Sequence, residues 1–221
     1  MNQTIDLLTS HRSIRKFTDE PVDPDLFTRL VDAAQASASS SFLQGVTIIR
    51  VTDPGKRVAL RDVAGGQAYV ETAPEFLVFC ADLSRPMRCC RQHGGTPAEG
   101  LTEQFVIATV DAALYAQNLV IAAESAGLGI CYIGALRNDP AKVTELLDLP
   151  QQVYPVFGLC LGHPAQDPEV KPRLPVSVTL KTDSYSTDGE DEAIAAYDEE
   201  MRTYYANRSA NIKIQGWSDQ M

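Results

Sequence analysis

Basic residues are scarce in this sequence. Its 19 lysines and arginines stand against 29 aspartates and glutamates, which gives a formal net charge of −10 at pH 7. The long-range field of such a chain repels polyanions. We therefore expect no nucleic-acid partner and no binding to an anionic membrane surface. Any phosphate site has to be a local cluster of cations.

Cysteine is also scarce, and the five cysteines are odd in number, so they cannot form a complete disulfide framework. Three of them lie in apolar runs, where cysteine behaves as a small hydrophobic residue: Cys80, Cys131 and Cys160. The N-terminus lacks the apolar stretch and small-residue cleavage site of a signal peptide. These features predict a cytoplasmic protein in a reducing compartment.

Two familiar motifs are incomplete. The Gly-Leu-Gly sequence at 127–129 lacks the third glycine of a dinucleotide fingerprint and follows a predicted helix, so it is interpreted as a helix stop. Cys89, Cys90 and His93 are close in sequence but have no fourth ligand at a sensible spacing. We expect free thiols there and no metal site.

An uninterrupted apolar run of membrane-spanning length is missing too. The longest apolar segment, residues 102–126, is broken by charged and amide side chains that an unassisted span tolerates poorly: Glu103, Gln104, Asp111, Gln117, Asn118 and Glu124. Apolar residues cover almost every face of this predicted helix. It should be wrapped by protein, either in a core or against a second subunit.

Helices and strands alternate along the rest of the chain. Asp-Pro pairs at 23–24, 53–54 and 139–140 predict helix starts, and apolar runs predict strands at 46–51, 76–81, 130–133 and 156–161. Residues 85–100 are interpreted as a loop, 163–175 as irregular and 190–207 as a last helix. Strands separated by helices predict one three-layer α+β domain over 1–221, with a mixed central sheet flanked by helices.

Two basic clusters are conspicuous in so acidic a chain. His11-Arg12-Ser13-Ile14-Arg15 places two guanidinium groups, an imidazole and a hydroxyl close together, and Lys171-Pro172-Arg173 holds two cations on a stiff backbone. Either cluster can grip a phosphate or clamp an anion. Each taken alone is more typical of solvated surface charge.

The clusters belong to an ordered set of motifs. Between them come the serine run 39–41, Gly65-Gly66-Gln67 and Tyr132-Ile133-Gly134, and the second cluster continues to Pro175. In this order and spacing the sequence resembles the oxygen-insensitive NADPH nitroreductases and NADPH:FMN oxidoreductases, group A of the nitroreductase superfamily. The resemblance runs from Ile5 to about Trp217.

The resemblance implies a nitroreductase-like fold that forms an intertwined homodimer, with two FMN sites at the subunit interface. Flavin N5 would carry the chemistry, so no catalytic side chain is expected. Carried over position by position, the FMN-binding residues are His11, Arg12, Ser13, Arg15, Ser39, Gln67, Tyr69, Tyr132, Ile133, Gly134, Ala135, Lys171 and Arg173. In this set the arginines hold the phosphate, Lys171 lies near flavin N1 and O2, and the backbone of 132–135 faces the ring.

The family's mobile basic loop corresponds to residues near 205–216. It implies that Arg208 contacts the 2′-phosphate of NADPH, with Lys213 as a second NADPH-binding candidate. The alternative for both is a solvated helix C-terminus, where cations are favourable in any case. Phe42 is likewise left open, either as a core residue or as part of the pocket over the flavin.

The sequence departs from the family in two places. Ala135 stands where the family usually has a second glycine, which would alter the backbone if that position needs a positive φ. Family members also continue beyond the Trp217-Ser218 pair, whereas this chain stops at Met221, so its C-terminus is shorter than the family's. The expected consequences concern dimer packing and the edge of the active site.

The implied activity is that of an FMN-dependent oxidoreductase that uses NADPH. It would reduce nitroaromatics, quinones or flavins by two-electron, ping-pong hydride transfer. Two alternatives stay open: an NADPH:FMN reductase that supplies reduced flavin to a partner enzyme, and a flavin-binding protein without useful turnover.

Overall fold

The computed structural model describes residues 2–208 and 211–221, and its contacts divide the chain into two compact units. The larger unit takes in the chain up to Thr9 together with Ser13–Gln166. The smaller, C-terminal unit consists of Ser10–Arg12 and Asp167–Met221. The single domain expected over 1–221 stays a prediction.

The larger unit is built on a four-stranded sheet in the order β1-β2-β4-β3, in which every neighbouring pair is antiparallel. All four predicted strands are confirmed, with small differences at their ends: Val46–Arg50 (β1), Glu75–Asp82 (β2), Gly129–Ile133 (β3) and Val153–Gly162 (β4). Within the described ranges, the parallel pairing is limited to an isolated bridge between Ser13 and Ile130. The α+β class is therefore confirmed, and the mixed character of the sheet is confined to that bridge.

Helices cover both faces of this sheet and give three layers. One face packs against α2 and α6, and the other against α3, α4 and α7. The helices of the larger unit are Gln3–Thr9 (α1), Pro24–Gln35 (α2), Pro54–Val63 (α3), Tyr69–Thr72 (α4), Ser84–Gln92 (α5), Thr102–Ser125 (α6) and Pro140–Leu146 (α7).

The predicted Asp-Pro helix starts are confirmed. In each, the aspartate side chain accepts a hydrogen bond of 2.7–2.9 Å from the backbone N–H three residues later. This satisfies one of the N–H groups that a helix leaves without an internal partner. The capping residues are Asp23, Asp53 and Asp139.

The loop predicted over 85–100 is wrong in its first half, which forms α5. The carboxylate of Asp82 accepts hydrogen bonds from the backbone N–H and the hydroxyl of Ser84, at 2.9 and 2.7 Å, and so caps the new helix. Pro86 lies in the first turn, where a missing N–H is harmless. Met87 is buried and anchors α5 to the core.

The long helix α6 is confirmed. By length and composition it could cross a membrane, but eight of its residues are buried within the protein, including the charged Asp111. It ends at Gly127, which adopts a left-handed φ of +78°. One face of α6 nevertheless stays open, with side chains 41–55% exposed: Phe105, Val106, Val110 and Leu114. We call these four residues the α6 stripe.

The C-terminal unit contains Val176–Thr179 (α8) and the predicted last helix, Glu190–Asn207 (α9). Its small core is formed by Tyr197, Met201 and Tyr205 of α9, with Leu174 and Trp217 packed against them. The predicted irregular stretch 163–175 is confirmed, since it contains no helix and only the isolated bridge at Pro164.

Candidate functional site

The first predicted segment is held along the edge strand β3. The backbone N–H of Ile14 donates to the carbonyl of Ile130 at 2.8 Å, and Ser13 forms the parallel bridge to the same residue. Ile14 is buried against Gly129, where an added Cβ would lie only 2.6 Å from its side chain. Glycine at 129 thus allows the segment to dock, which places the exposed Arg15 beside the sheet.

Three predicted residues of the larger unit come together at this edge. Arg15 hydrogen-bonds the hydroxyl of Tyr69, and that hydroxyl lies 2.5 Å from Oε1 of Gln67. The Gln67 amide in turn donates to the carbonyl of Ala64 at 2.9 Å. Burial and the nearby Cys131 raise the pKa of Tyr69, and the Arg15 hydrogen bond opposes that rise. The guanidinium is therefore oriented by a chain of polar contacts.

In the predicted stretch 132–135, Tyr132 is half-buried, and its hydroxyl donates to the side-chain oxygen of Gln117 at 3.5 Å. Its ring packs edge-on against Phe157, with centroids 5.2 Å apart, and burial raises the pKa of Tyr132 to about 12. Ile133 is also buried in the core. At Ile133 the stretch therefore offers backbone N–H and C=O groups, whereas Tyr132 keeps a partly exposed side chain.

Gly134 and Ala135 follow where β3 passes into a 3₁₀ turn, Gly134–Asn138. A Cβ at 134 would lie 3.0 Å from a guanidinium nitrogen of Arg137, so glycine makes room for that cation. Ala135 is not among the residues with positive φ, and the alanine is accommodated without left-handed strain. Arg137, which the sequence analysis did not single out, donates to the carbonyl of Val156 at 2.8 Å.

Ser39 lies elsewhere in the larger unit. Its hydroxyl donates to the buried carboxylate of Asp111 at 2.6 Å, and the N–H of Gly45 donates to the same carboxylate at 2.9 Å. Gly45 leads into β1, which is the opposite edge of the sheet from β3. Three strand spacings separate the two edges, roughly 14 Å. A single chain therefore does not bring Ser39 to Arg15.

The turn after Ser39 is strained and open. Ser41, Phe42 and Gln44 have φ values of 50°, 55° and 53°, which are unfavourable for residues other than glycine. Phe42 is 80% exposed, which excludes the interpretation that it fills the core. A cavity of about 430 Å³ lies beside this turn, lined by Ala38, Ser39, Ser40, Val106, Ile107, Val110, Asp111 and Leu114.

In the C-terminal unit, α9 holds the second basic cluster in place. The hydroxyl of Tyr197 donates to the carbonyl of Pro172 at 3.0 Å, between the two cations. Arg173 folds back to donate to the carbonyl of Lys171 at 2.7 Å and is exposed. Within the described ranges neither cation has an acidic partner. Both charges are available to an anion.

Arg12 lies in the same unit and has an unsatisfied donor. Its guanidinium pairs with the exposed Asp167 and donates to the carbonyl of Ser10 at 3.0 Å. Its Nε is buried and has no hydrogen-bond partner among the residues that the structure describes. His11, which precedes it, is half-buried. An orphaned N–H in a cation is the kind of group that a ligand anion satisfies.

Arg208 and Lys213 follow the end of α9. Arg208 donates through Nε to the carbonyl of Asn211 at 2.9 Å, and its guanidinium lies 4.6 Å from the ring centroid of Tyr205. Lys213 is exposed, and its backbone N–H donates to the carbonyl of Tyr205 at 3.2 Å. Part of the predicted mobile loop, residues 209 and 210, lies outside the described residues. The mobility of this loop stays a prediction.

All five cysteines are free, and they are of two kinds. Burial raises the pKa of Cys80 to about 12 and also raises those of Cys131 and Cys160, so these thiols act as small apolar groups, as expected. Cys89 and Cys90 lie on α5 at or near the surface. Among the described residues no group of His, Cys, Asp and Glu is arranged to hold a metal.

The fold and these side chains define a class of protein: a three-layer α+β protein with clustered cations in both of its units. The sequence pattern of the nitroreductase family matches residues 8–163, and that of the family's C-terminal domain matches residues 171–221. This chain belongs to the nitroreductase family.

Two curated relatives match nearly the whole chain. It is 47% identical to the oxygen-insensitive NADPH nitroreductase of Salmonella typhimurium, over 99% of this chain and 89% of the relative. It is 48% identical to the NADPH-flavin oxidoreductase of Vibrio harveyi, over 100% of this chain and 90% of that protein.

A solved structure confirms the fold. The NADPH:FMN oxidoreductase of Vibrio harveyi, determined in complex with NAD⁺, superposes with a TM-score of 0.90 at 45% identity. The match covers 99% of this chain and 89% of that one. The three-layer nitroreductase-like fold expected from the sequence is thereby confirmed.

Proposed function

We propose that this protein is an FMN-dependent oxidoreductase that uses NADPH to reduce nitroaromatics, quinones or flavins. Its membership of the nitroreductase family over both parts of the chain carries this proposal. The names of the two relatives, an NADPH nitroreductase and an NADPH-flavin oxidoreductase, support the same chemistry. The donor and the acceptor would use the flavin in turn, which is a ping-pong scheme.

The residues fit FMN, whose phosphate is a dianion and whose ring is flat. In the larger unit, the Arg15, Gln67 and Tyr69 group and the backbone of 132–135 would hold the cofactor, together with Ser13. Among the described residues of the C-terminal unit, Lys171 and Arg173 have no acidic partner, and Arg12 has an orphaned buried Nε. These are the donors that a phosphate and a polar ring edge require.

When bound, FMN supplies the transfer of an electron pair between NADPH and the acceptor. The chain's own residues would bind FMN and orient it. Lys171 would place a positive charge near the flavin and stabilise negative charge there, as preorganised cations do in enzyme sites. The hydrogen bond from Tyr197 to the carbonyl of Pro172 would fix the backbone between Lys171 and Arg173. No side chain of the protein has to exchange a proton.

A homodimer accounts for the position of Ser39. Within one chain Ser39 and Arg15 lie at opposite edges of the sheet, and a second copy that supplies one of them would bring both to one FMN. Three residues of the exposed α6 stripe, Val106, Val110 and Leu114, line the same cavity as Ser39. Exposed apolar rows of this kind are typical of subunit interfaces. We place the twofold contact along α6.

For NADPH, Arg208 is the residue that would select the 2′-phosphate, since that group alone distinguishes NADPH from NADH. A guanidinium is well suited to a dianion of this shape. Lys213 is a second candidate because it is exposed in the same segment. The free cysteines fit a cytoplasmic location.

Two experiments test the proposal. Purified protein should be yellow with about one FMN per chain, and NADPH should bleach that colour under anaerobic conditions; colourless protein that ignores added FMN would refute it. Comparing turnover with free FMN against turnover with a nitroaromatic or a quinone separates a nitro or quinone reductase from a flavin reductase. Bound flavin that NADPH cannot bleach would identify a flavin-binding protein without turnover.

A further inference from the structure

Two cations that the proposed function assigns to different ligands meet at one aromatic ring. Tyr205, in the last turn of α9, is only 4% exposed. The ammonium of Lys171, assigned to the flavin, lies 5.3 Å from the ring centroid, and the guanidinium of Arg208, assigned to NADPH, lies 4.6 Å from it. Both distances are within the range of cation–π attraction.

The hydroxyl and the ring of Tyr205 have different partners. The hydroxyl accepts hydrogen bonds from Lys171 and from the Gln220 amide, the latter at 3.4 Å, whereas Arg208 contacts the ring. Burial raises the pKa of Tyr205, but the Lys171 and Gln220 hydrogen bonds and the charges of Lys171 and Arg208 outweigh it, so the pKa lies below its ordinary value. The tyrosine is thus a single acceptor for two positive groups.

The position of the Tyr205 ring is fixed by the core of the C-terminal unit. Tyr205 packs with Tyr197 and Met201 in the small core of the C-terminal unit, and its backbone carbonyl accepts the N–H of Lys213. Lys171 and Arg208 repel each other, and an attractive group between them offsets that repulsion. Arg208 is also held by the carbonyl of Asn211 at 2.9 Å, whereas Lys171 reaches Tyr205 from a segment remote in sequence. A buried aromatic ring with a polar tip supplies that attraction.

We propose that Tyr205 is a positioning residue that holds Lys171 through its hydroxyl and Arg208 through its ring. It links the flavin-binding cation to the nucleotide-selecting cation. The inference rests on the proposed function, because the roles of the two cations come from it. It predicts that the contribution of the hydroxyl and the contribution of the ring can be measured separately by substitution.

Two variants make that separation. Tyr205→Phe keeps the ring and removes the hydroxyl, so FMN should bind about fivefold more weakly while the preference for the 2′-phosphate is unchanged. Tyr205→Leu removes both, so both properties should fall, each by about fivefold. A factor of this size corresponds to one cation–π contact or hydrogen bond at a partly exposed site.

The measurements do not depend on turnover. FMN affinity is read from the quenching of flavin fluorescence on apoprotein, and the 2′-phosphate preference from calorimetric titration of FMN-saturated protein with 2′,5′-ADP and with 5′-AMP. Tyr204→Leu is the matched control. The Tyr204 ring packs against Tyr205, and among the described residues its only contact with either cation is the backbone hydrogen bond from Arg208 at 3.0 Å, which the substitution keeps. It should leave both properties as in the wild type.

The measurements distinguish failure of the inference about Tyr205 from failure of the proposed function. Wild-type protein that does not bind FMN would refute the proposed function. Wild-type protein that binds FMN and prefers 2′,5′-ADP, with a Tyr205→Phe variant that matches it in FMN affinity, would overturn the role of the hydroxyl. Equal losses in Tyr205→Leu and Tyr204→Leu would reduce Tyr205 to a core residue. If Tyr205→Leu fails to fold, Tyr205→Phe tests the proposal by itself, through a weaker FMN affinity with an unchanged preference for the 2′-phosphate.

Discussion

At the scale of single residues, the cations of the two units differ in the partners that they already have. Arg15 is oriented by Tyr69 and Gln67, and Arg12 is paired with Asp167 but keeps an orphaned Nε. Arg173 donates to the backbone carbonyls of Lys171 and Pro172, and it has no acidic partner in the part of the chain that the structure describes. Cations that lack acidic partners have the most to gain from a ligand anion, because their charge is not yet compensated.

Arg173→Ala should therefore weaken FMN binding, and the loss should be larger at low salt, where attraction to a phosphate is least screened. Titration of apoprotein with FMN at several salt concentrations measures it. Lys181→Ala is a matched control, because Lys181 lies in the same unit but is already paired with Glu190 at 2.6 Å. An FMN affinity unchanged by Arg173→Ala would remove this residue from the site.

Arg208→Ala should reduce kcat/KM for NADPH by about ten- to a hundredfold, through KM, and leave NADH activity and FMN content nearly unchanged. That range corresponds to one charge-assisted contact of about 1.5 to 3 kcal/mol. Steady-state kinetics with both nucleotides measure it. Arg202→Ala, which removes a cation already paired with Glu199 and Asp219, serves as the control. Equal losses with both nucleotides would assign Arg208 a structural role.

At the scale of elements, α5 exists because Asp82 organises its start. This carboxylate lies at the end of β2, is 6% exposed and accepts hydrogen bonds from Ser84, Thr47 and Arg85. Burial raises the pKa of Asp82, but those hydrogen bonds outweigh it, so the pKa in the folded state lies below its ordinary value. The stability that Asp82 gives to α5 therefore depends on pH.

Asp82→Asn should lower the free energy of unfolding by about 1 to 2 kcal/mol at pH 7, the usual cost of losing a charged cap. Because folding depresses this pKa, the ionised carboxylate contributes stability above its unfolded value, about 3.9, and that stability is lost as the pH falls below it. Urea unfolding of both proteins at pH 7 and pH 3 tests this. If the two proteins differ by as much in their free energy of unfolding at pH 3 as at pH 7, the charge of Asp82 does not contribute to stability.

At the scale of the whole molecule, the α6 stripe and the position of Ser39 both point to a second copy. Val110 lies in the middle of the stripe and is 48% exposed. A charge there would have to be buried in the proposed interface, which is unfavourable without a partner.

Val110→Glu should therefore give a monomer of 24.1 kDa that binds FMN far more weakly, because the second copy's Ser39 would be missing. Light scattering coupled to gel filtration, together with the FMN content, measures both effects. Ala33→Glu introduces the same charge at an exposed position of α2 and should stay dimeric. A Val110→Glu dimer with normal FMN content would refute the placement of the interface.

The sequence alone determined most elements and the family. Helix caps at Asp23, Asp53 and Asp139 and the apolar strand runs are short-range signals, and they were read correctly because their partners are three residues away or alternate along one strand. The motif order from His11 to Pro175 is also linear information. The α5 helix was missed although Asp82 caps it locally, because Pro86 and the glycines that follow are also loop signals and its anchor, Met87, needs a surface to pack on.

Only the tertiary structure decided which predicted site residues meet. Pairing of strands remote in sequence placed Ser39 and Arg15 at opposite edges of the sheet and gathered Arg15, Tyr69 and Gln67 at one. In the C-terminal unit, packing brought Lys171 to Tyr205, a contact without a local signal, whereas Arg208 lies only three residues after Tyr205. Residue types specify what a side chain can bind, but distances between distant segments are set by the packing of the whole fold, which no spacing in the chain encodes.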